Sequence, residues 1–209
     1  LVGVNAAKGF GLAWDKPVMG INHLEGHIYS SWLEGMNPEG QVGFPIVCLI
    51  ASGGHTDLYL MKDHGVYCTI ARTRDDAAGE AFDKAARVLG LGFPGGPEIE
   101  DQAHHVSGSK ISLPRPSIKG SLDFSFSGLK SALVRAAGDA GFFPNKKSGR
   151  PTEQEVHEFA YEFQEAVVDC LVRGSIAAVN SYGAKGIILG GGVSANSRLR
   201  GKIAEKSPV

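Results

Sequence analysis

Two histidines, His23 and His27, stand four residues apart in the stretch Asn22-His23-Leu24-Glu25-Gly26-His27. On a helix that step turns through roughly 400°, so both imidazoles lie on one face, one turn apart. Neutral imidazoles are frequent ligands of divalent first-row metals, and two on one face begin a metal site. Chemistry at such a site normally needs a third protein ligand and an open position. The same stretch invites a metallopeptidase reading. Zinc peptidases use His-Glu-x-x-His, where the Glu directly follows the first His and acts as general base. Here Glu25 comes two places after His23, which turns it off the face shared by the rings. The peptidase reading is therefore the weaker one.

Two glycine junctions follow apolar runs: Ile50-Ala51-Ser52-Gly53-Gly54-His55-Thr56 and Leu189-Gly190-Gly191-Gly192-Val193-Ser194-Ala195-Asn196. Glycines let backbone amides approach phosphate oxygens, and a following helix N-terminus favours the anion. One Gly-Gly pair is commonly just a tight turn. Two such junctions in one α/β chain point toward phosphate or nucleotide binding. Asp83, between Phe82 and Lys84, has two readings. It is either a carboxylate paired along a helix surface or an acceptor for a ribose diol, and spacing does not separate them. Gly92 to Pro97 reads as an ordinary loop. His104, His105 and His157 have no partner at ligand spacing and read as surface or packing residues. Lys119, Lys130, Arg135, Lys146, Lys147 and Arg150 bias the middle of the chain toward positive charge. A solvated face is the default, and contact with a phosphate backbone is the alternative.

The elements that must hold these residues follow from periodicity. Spacings of three and four predict a helix over 1–14, and Lys16 to Ile21 reads as a loop followed by a short buried strand. A helix runs from His23 to about Glu34, and Asn37-Pro38-Glu39-Gly40 reads as a turn. The continuous apolar run Phe44 to Ala51 predicts a strand buried on both faces. Asp63-His64-Gly65 joins two further strands into a hairpin. Asp75-Asp76 is expected to cap a helix over 77–89 that stops at Gly90. Helices are predicted over 98–107 and 127–137, an irregular segment over 108–123, and a linker over 138–151. The longest helix starts at Thr152, which forms a capping-box pattern with Glu155, and runs to about Tyr182. A short strand over 186–189 and a last helix after Asn196 close the chain. The fold class is α/β, with a boundary near residue 43 dividing 1–43 from 44–209.

The chain has 209 residues, 43% hydrophobic and 21% charged, with net charge −1. This is an ordinary globular composition that neither demands nor excludes nucleic acid. Cys48, Cys68 and Cys170 are isolated, which suits a reducing compartment and small core thiols. No apolar run approaches a membrane span, and no secretory leader pattern opens the chain. The opening Leu1-Val2-Gly3-Val4 lacks an initiator Met and reads as mid-element, and the chain stops soon after a fresh helix begins. A piece missing both ends is expected, with a trimmed ordered core as the alternative.

Taken together, Asn22 to His27, Ser52-Gly53-Gly54-His55-Thr56, Asp75 to Lys84, Phe93-Pro94-Gly95-Gly96-Pro97, Phe124-Ser125-Phe126-Ser127-Gly128-Leu129-Lys130 and Gly190 to Asn196 occur in an order that closely resembles the TsaD family. These are tRNA threonylcarbamoyladenosine transferases. Each motif is modest alone, and six in order over nearly the whole chain are specific. The resemblance implies a partial actin-like (ribonuclease H-like), two-lobed fold: 1–43 would end the N-terminal lobe and 44–209 would form most of the C-terminal nucleotide-binding lobe. It implies transfer of a threonylcarbamoyl group from threonylcarbamoyl-AMP to the N6 amine of the adenosine beside the anticodon, in tRNAs reading codons that begin with A. By the family pattern His23 and His27 would bind one divalent metal, Fe2+ or alternatively Zn2+, with a third ligand, an Asp, beyond this chain. Ile50, Ala51, Ser52, Gly53 and Gly54 would line the phosphate and substrate pocket. Asp83, Gly96 and Asn196 would bind the nucleoside, and Glu100 falls where many relatives carry an Asp. No side-chain nucleophile is implied. Accessory proteins of the TsaB and TsaE type and a cytoplasmic location are implied as well. A non-catalytic nucleotide-binding partner of the same fold is the remaining alternative.

Overall fold

The computed structural model describes residues 1–35, 38–143 and 151–209; Asn37 and the basic Lys146, Lys147 and Arg150 lie outside them. Helix α1 (Val2–Ala13) forms where three-four spacing predicts it, but buries none of its residues. Phe10 stacks on Trp14 with ring centroids 4.9 Å apart. The strand expected at the end of Lys16 to Ile21 is absent: the segment is irregular, with Met19 and Ile21 strongly exposed. A strand needs a ladder partner and a buried face, and apolar character alone supplies neither. Helix α2 (His23–Tyr29) starts at Asn22, whose side chain accepts a hydrogen bond from the Leu24 amide. It tightens into a 3-10 turn over Ser30–Gly35 rather than continuing as α-helix to Glu34. A short helix, α3 (Pro38–Val42), occupies most of the expected turn.

Four strands follow: β1 (Ile46–Ala51), β2 (Thr56–Asp63), β3 (Val66–Arg72) and β4 (Gly186–Gly190), in the order β3-β2-β1-β4. β1 is antiparallel to β2 and parallel to β4, pairing Ile46 with Gly186 and Ile50 with Gly190. Every residue of β1 is buried, as its unbroken apolar run predicts. Val47, Leu49 and Ala51 enter the main core. Ile46, Cys48 and Ile50 enter a smaller one with Tyr59, Met61, Ile188 and Ile28 of α2. Ile28 is fully buried, and removing a side chain of that size from water contributes about 1.5–3 kcal/mol. It fastens the histidine helix to the sheet.

The opposite face carries α4 (Ala78–Leu89), α5 (Gly95–Ala103), α6 (Ser127–Asp139), α7 (Glu153–Tyr182) and α8 (Ser197–Lys206). The α4 stripe Ala78, Ala81, Phe82, Ala85, Ala86 and Leu89 is buried, and Gly90 stops the helix with a left-handed φ of 75°. Thr152 and Glu155 form the full capping box of α7. The Asp75-Asp76 pair does not cap α4, whose N-cap is Ala77 without a side-chain bond. Asp76 instead meets Lys84 at 2.7 Å. Asp75 turns to the start of α6, accepting from the Phe126 and Ser127 amides and both flanking serine hydroxyls. Helix α5 begins at Gly95, three residues earlier than the sequence suggests, because Pro97 sits in its first turn, where proline is tolerated. It ends at Ala103, short of residue 107. Charges bind α8 to α7: Glu165 meets Arg198 and Lys202, and Lys202 and Arg115 share Asp169.

Candidate metal centre and nucleotide cleft

Because β1 and β4 are parallel neighbours, both end at the same edge of the sheet. The crevice beyond the carboxyl ends of parallel strands is where α/β sheets bind ligands. After β1 the chain makes a tight turn: the Ser52 amide donates to the His55 carbonyl at 2.8 Å, and the Ser52 hydroxyl accepts from the His55 amide. Gly79 of α4 presses on this turn. Its amide donates to the Ser52 carbonyl, and a β-carbon on Gly79 would lie 2.6 Å from that oxygen.

After β4 the three glycines have different tasks. A β-carbon on Gly190 would sit 2.8 Å from the His27 carbonyl oxygen, and one on Gly191, at φ 85°, would sit 2.4 Å from the Ala51 carbonyl oxygen. Both are close-approach positions. Gly192, by contrast, is open on its Cα side and lines a cavity.

His23 and His27 do share a face. Their Nε2 atoms lie 2.9 Å apart. Burial, aided by the His23 and His55 rings, holds the His27 imidazole below its usual pKa, which favours the neutral form that ligates metals. One ion can sit about 2.0–2.1 Å from each nitrogen at this separation, so the pair fits a metal. Among the described residues, no group of three His, Cys, Asp or Glu side chains forms a metal site. His55 comes closest to joining them, edge-on to His23 at 5.8 Å between centroids. Sequence reasoning did not single it out as a site residue, although its place directly after the Gly53-Gly54 turn is the signal. Glu25 is turned elsewhere: its carboxylate accepts from the Tyr67 phenol on β3. That bond, with burial and the carboxylate charge, pushes the phenol up to about 12.

A cavity of about 380 Å³ opens at the glycine turns, lined by Gly53 and Gly192 but by neither His23 nor His27. Of the expected nucleoside residues, Asp83, Gly96, Glu100 and Asn196 all line it, and Gly53 is the one residue of the 50–54 stretch that does. Ile50 and Ala51 are buried strand residues, with side chains committed to the two cores. Ser52 is part-buried and Gly54 exposed in the turn. Each polar lining group is also held from behind. Asp83 Oδ1 accepts from the Gly95 amide at 2.7 Å. Glu100 Oε1 accepts from both the amide and hydroxyl of Ser197, at 2.8 and 2.5 Å. Asn196 Oδ1 caps α8 through the Leu199 amide, and its Nδ2 donates to Gln164. The remaining walls are apolar, from Phe82, Phe93, Pro94, Pro97, Val193 and Ala195. The cleft thus offers a flat apolar slot with carboxylates at its edge and glycine backbone beside it.

The other histidines pack as the sequence suggests. His105 stacks on the buried His157 at 4.4 Å, and His104 lies 3.8 Å from Glu100. Lys119 and Arg135 are exposed.

Comparison with known proteins gives the family. The family model described as "TsaD: tRNA N6-adenosine threonylcarbamoyltransferase" matches residues 1–208. A protein of that name from Dehalococcoides mccartyi is 52% identical over the whole chain, which covers 59% of that relative. The Thermomicrobium roseum protein is 48% identical, again over the whole chain and 61% of the relative. For the Symbiobacterium thermophilum protein the identity is 46%, over 96% of the chain and 55% of the relative. The chain therefore spans somewhat over half the length of these curated relatives. Its mixed α/β architecture agrees with part of an actin-like fold. A match over nearly every residue, at identities near one half, places the chain in the TsaD family of tRNA N6-adenosine threonylcarbamoyltransferases.

Proposed function

We propose that the protein carrying this chain transfers a threonylcarbamoyl group from threonylcarbamoyl-AMP to the N6 amine of the adenosine beside the anticodon, in tRNAs reading codons that begin with A. The observation that carries this reading is that two parallel strand ends each touch both halves of one site. The turn after β1 puts Gly53 in the cavity and His55 beside His23. The run after β4 puts Gly192 in the cavity and Gly190 against His27. An activated nucleotide in the cleft would thus lie next to a metal held by His23 and His27.

The cleft residues bind and orient the AMP part. Asp83 and Glu100 each keep an oxygen free of their structural bonds, suited to accepting from ribose hydroxyls. Asn196 Nδ2 has a second N–H beyond the one given to Gln164. Backbone amides around Gly53 and Gly192, which line the cavity, would stabilise the charge that grows on the departing phosphate. The bound cation, Fe2+ or Zn2+, would supply Lewis acidity toward the threonylcarbamoyl oxygen atoms. The adenosine N6 attacks the carbamoyl carbon, the bond from that carbon to the phosphate oxygen breaks, AMP leaves with the electron pair, and the amine loses a proton. No protein nucleophile enters. The metallopeptidase alternative asks Glu25 to act as base beside the rings, and Tyr67 holds that carboxylate on β3.

The same reading assigns residues 1–43 to the end of one lobe and 44–209 to most of the nucleotide-binding lobe. This is supported by α1, which buries nothing here, and by a main core whose first member is Val47 of β1. TsaB- and TsaE-type accessory proteins and a cytoplasmic location belong to the same reading, on the strength of the family. No helix among the described residues is long and apolar enough to cross a membrane. The test is nucleoside analysis of tRNA incubated with the full-length protein, its accessory proteins and threonylcarbamoyl-AMP. Modified adenosine in the wild-type reaction and none with His27→Ala supports the reading; unmodified tRNA throughout rejects it.

A further inference from the structure

We propose that Phe93 is the stacking platform for the base of the bound adenine nucleotide, and that it sets the preference for a base over a bare sugar phosphate. This rests on the nucleotide reading of the cleft. Phe93 is 81% exposed while lining the cavity. A large aromatic so placed gains nothing from the core, and a planar ligand is what would cover it.

The ring is also held in place. Its short loop is pinned on one side by the Leu91 amide, which donates to the Ala86 carbonyl at 2.8 Å. On the other side the Gly95 amide donates to Asp83 at 2.7 Å, and the Gly95 backbone is pressed so closely on α4 that a β-carbon would lie 2.5 Å from the Asp83 Cα. Phe93 is therefore presented by two fixed points on α4, with little left to order on binding.

The chemistry of the walls assigns the ends of the ligand. Among the described residues, the lining carries the carboxylates Asp83 and Glu100 and no Lys or Arg. Phosphate is disfavoured beside them, and ribose hydroxyls are favoured. The phosphate then points to the glycine turns, and the base is left to the apolar slot of Phe93, Pro94, Pro97 and Val193.

The experiment is calorimetric titration of the full-length protein with AMP and with ribose 5-phosphate, for wild type, Phe93→Ala, Phe93→Tyr and Asp83→Asn. Phe93→Ala is expected to weaken AMP about 10-fold or more and leave ribose 5-phosphate unchanged. Phe93→Tyr should restore AMP affinity to within about threefold, since the stacking face is kept. An unchanged melting temperature for Phe93→Ala shows that the loss is not one of folding. If Asp83→Asn weakens AMP while Phe93→Ala does not, or if Phe93→Ala weakens both ligands equally, the stacking role is overturned and the nucleotide site stands. If wild type binds no AMP, the nucleotide reading fails and takes the stacking role with it.

Discussion

The carbonyl oxygen of His27 lies 2.8 Å from where a β-carbon on Gly190 would be. One turn of the histidine helix thus rests directly on the end of β4. The Ile50 Cδ1 methyl is equally close at 2.8 Å, but the His27 carbonyl is backbone and cannot rotate aside. Gly190→Ala should push α2 away from the sheet and cost about 1–3 kcal/mol, the usual range for overpacking. Thermal unfolding would show it, and a parallel Co2+ titration should show weaker metal binding than wild type.

Glu25 and His27 sit on one short helix and should behave differently. Glu25→Gln keeps an acceptor for the Tyr67 phenol, so metal affinity should stay within about 10-fold, the milder end of outer-shell losses. His27→Ala removes a candidate ligand and should lower affinity by more than about 100-fold, beyond what an outer-shell partner costs. Competition with a chelator of known strength measures both.

Asp75 links the segment before α4 to the start of α6. Burial pushes its carboxyl up, but the bonds from Ser125, Phe126 and Ser127 outweigh that and hold it below the usual carboxylate range. A depressed pKa means stability that is present above the unfolded value of about 3.9 and is lost as pH falls through the folded one. Asp75→Asn should therefore be less stable than wild type by about 1 kcal/mol at pH 7, because its amide nitrogen cannot accept from the Ser125 and Ser127 hydroxyls. The gap should narrow as pH falls below about 4 and close once pH drops below the depressed pKa of the folded carboxyl. Chemical denaturation at pH 7 and pH 3 gives the two values. A gap that is the same at both would contradict this account.

Lys202 is buried to 7% exposure between Glu165 and Asp169. Glu165→Ala would leave Arg198 without this partner and Lys202 with only Asp169, for a loss of about 2 kcal/mol or more. Lys202→Met should cost less, because Glu165 keeps Arg198 and Asp169 keeps Arg115, and a methionine fills similar volume. Urea melts of the two variants should fall in that order.

Local rules made much of this fold legible. The apolar run of β1, the three-four stripe of α4 and the Thr152 capping box depend on neighbours in sequence, and all three appear as predicted. The failures are non-local. Asp75 looked like a cap for the next helix and caps one some fifty residues on. Val18 to Ile21 looked like a strand and has no strand to pair with. The glycine run Gly190-Gly191-Gly192 looked like one phosphate loop, yet two of its members exist to let backbones meet. Likewise Ile50 and Ala51 belong to the site stretch by sequence, but their side chains belong to the cores. His55 becomes a neighbour of His23 only through the turn after β1. Motif order brought the candidate residues forward, while the third dimension decided which of them line the cavity.

The pairing of β1 with β4 has a bearing on how the chain matures. Ile46 meets Gly186 across most of the sequence, and contacts of such separation are slow to close because the intervening chain must first be ordered. A ribosome releasing this chain exposes the histidine helix, the hairpin and the first glycine turn well before β4 emerges. Until then Gly190 and Gly192 are missing, and neither the floor under α2 nor the far wall of the cleft exists. The cavity lined by both glycine turns is thus complete only once β4 has joined β1.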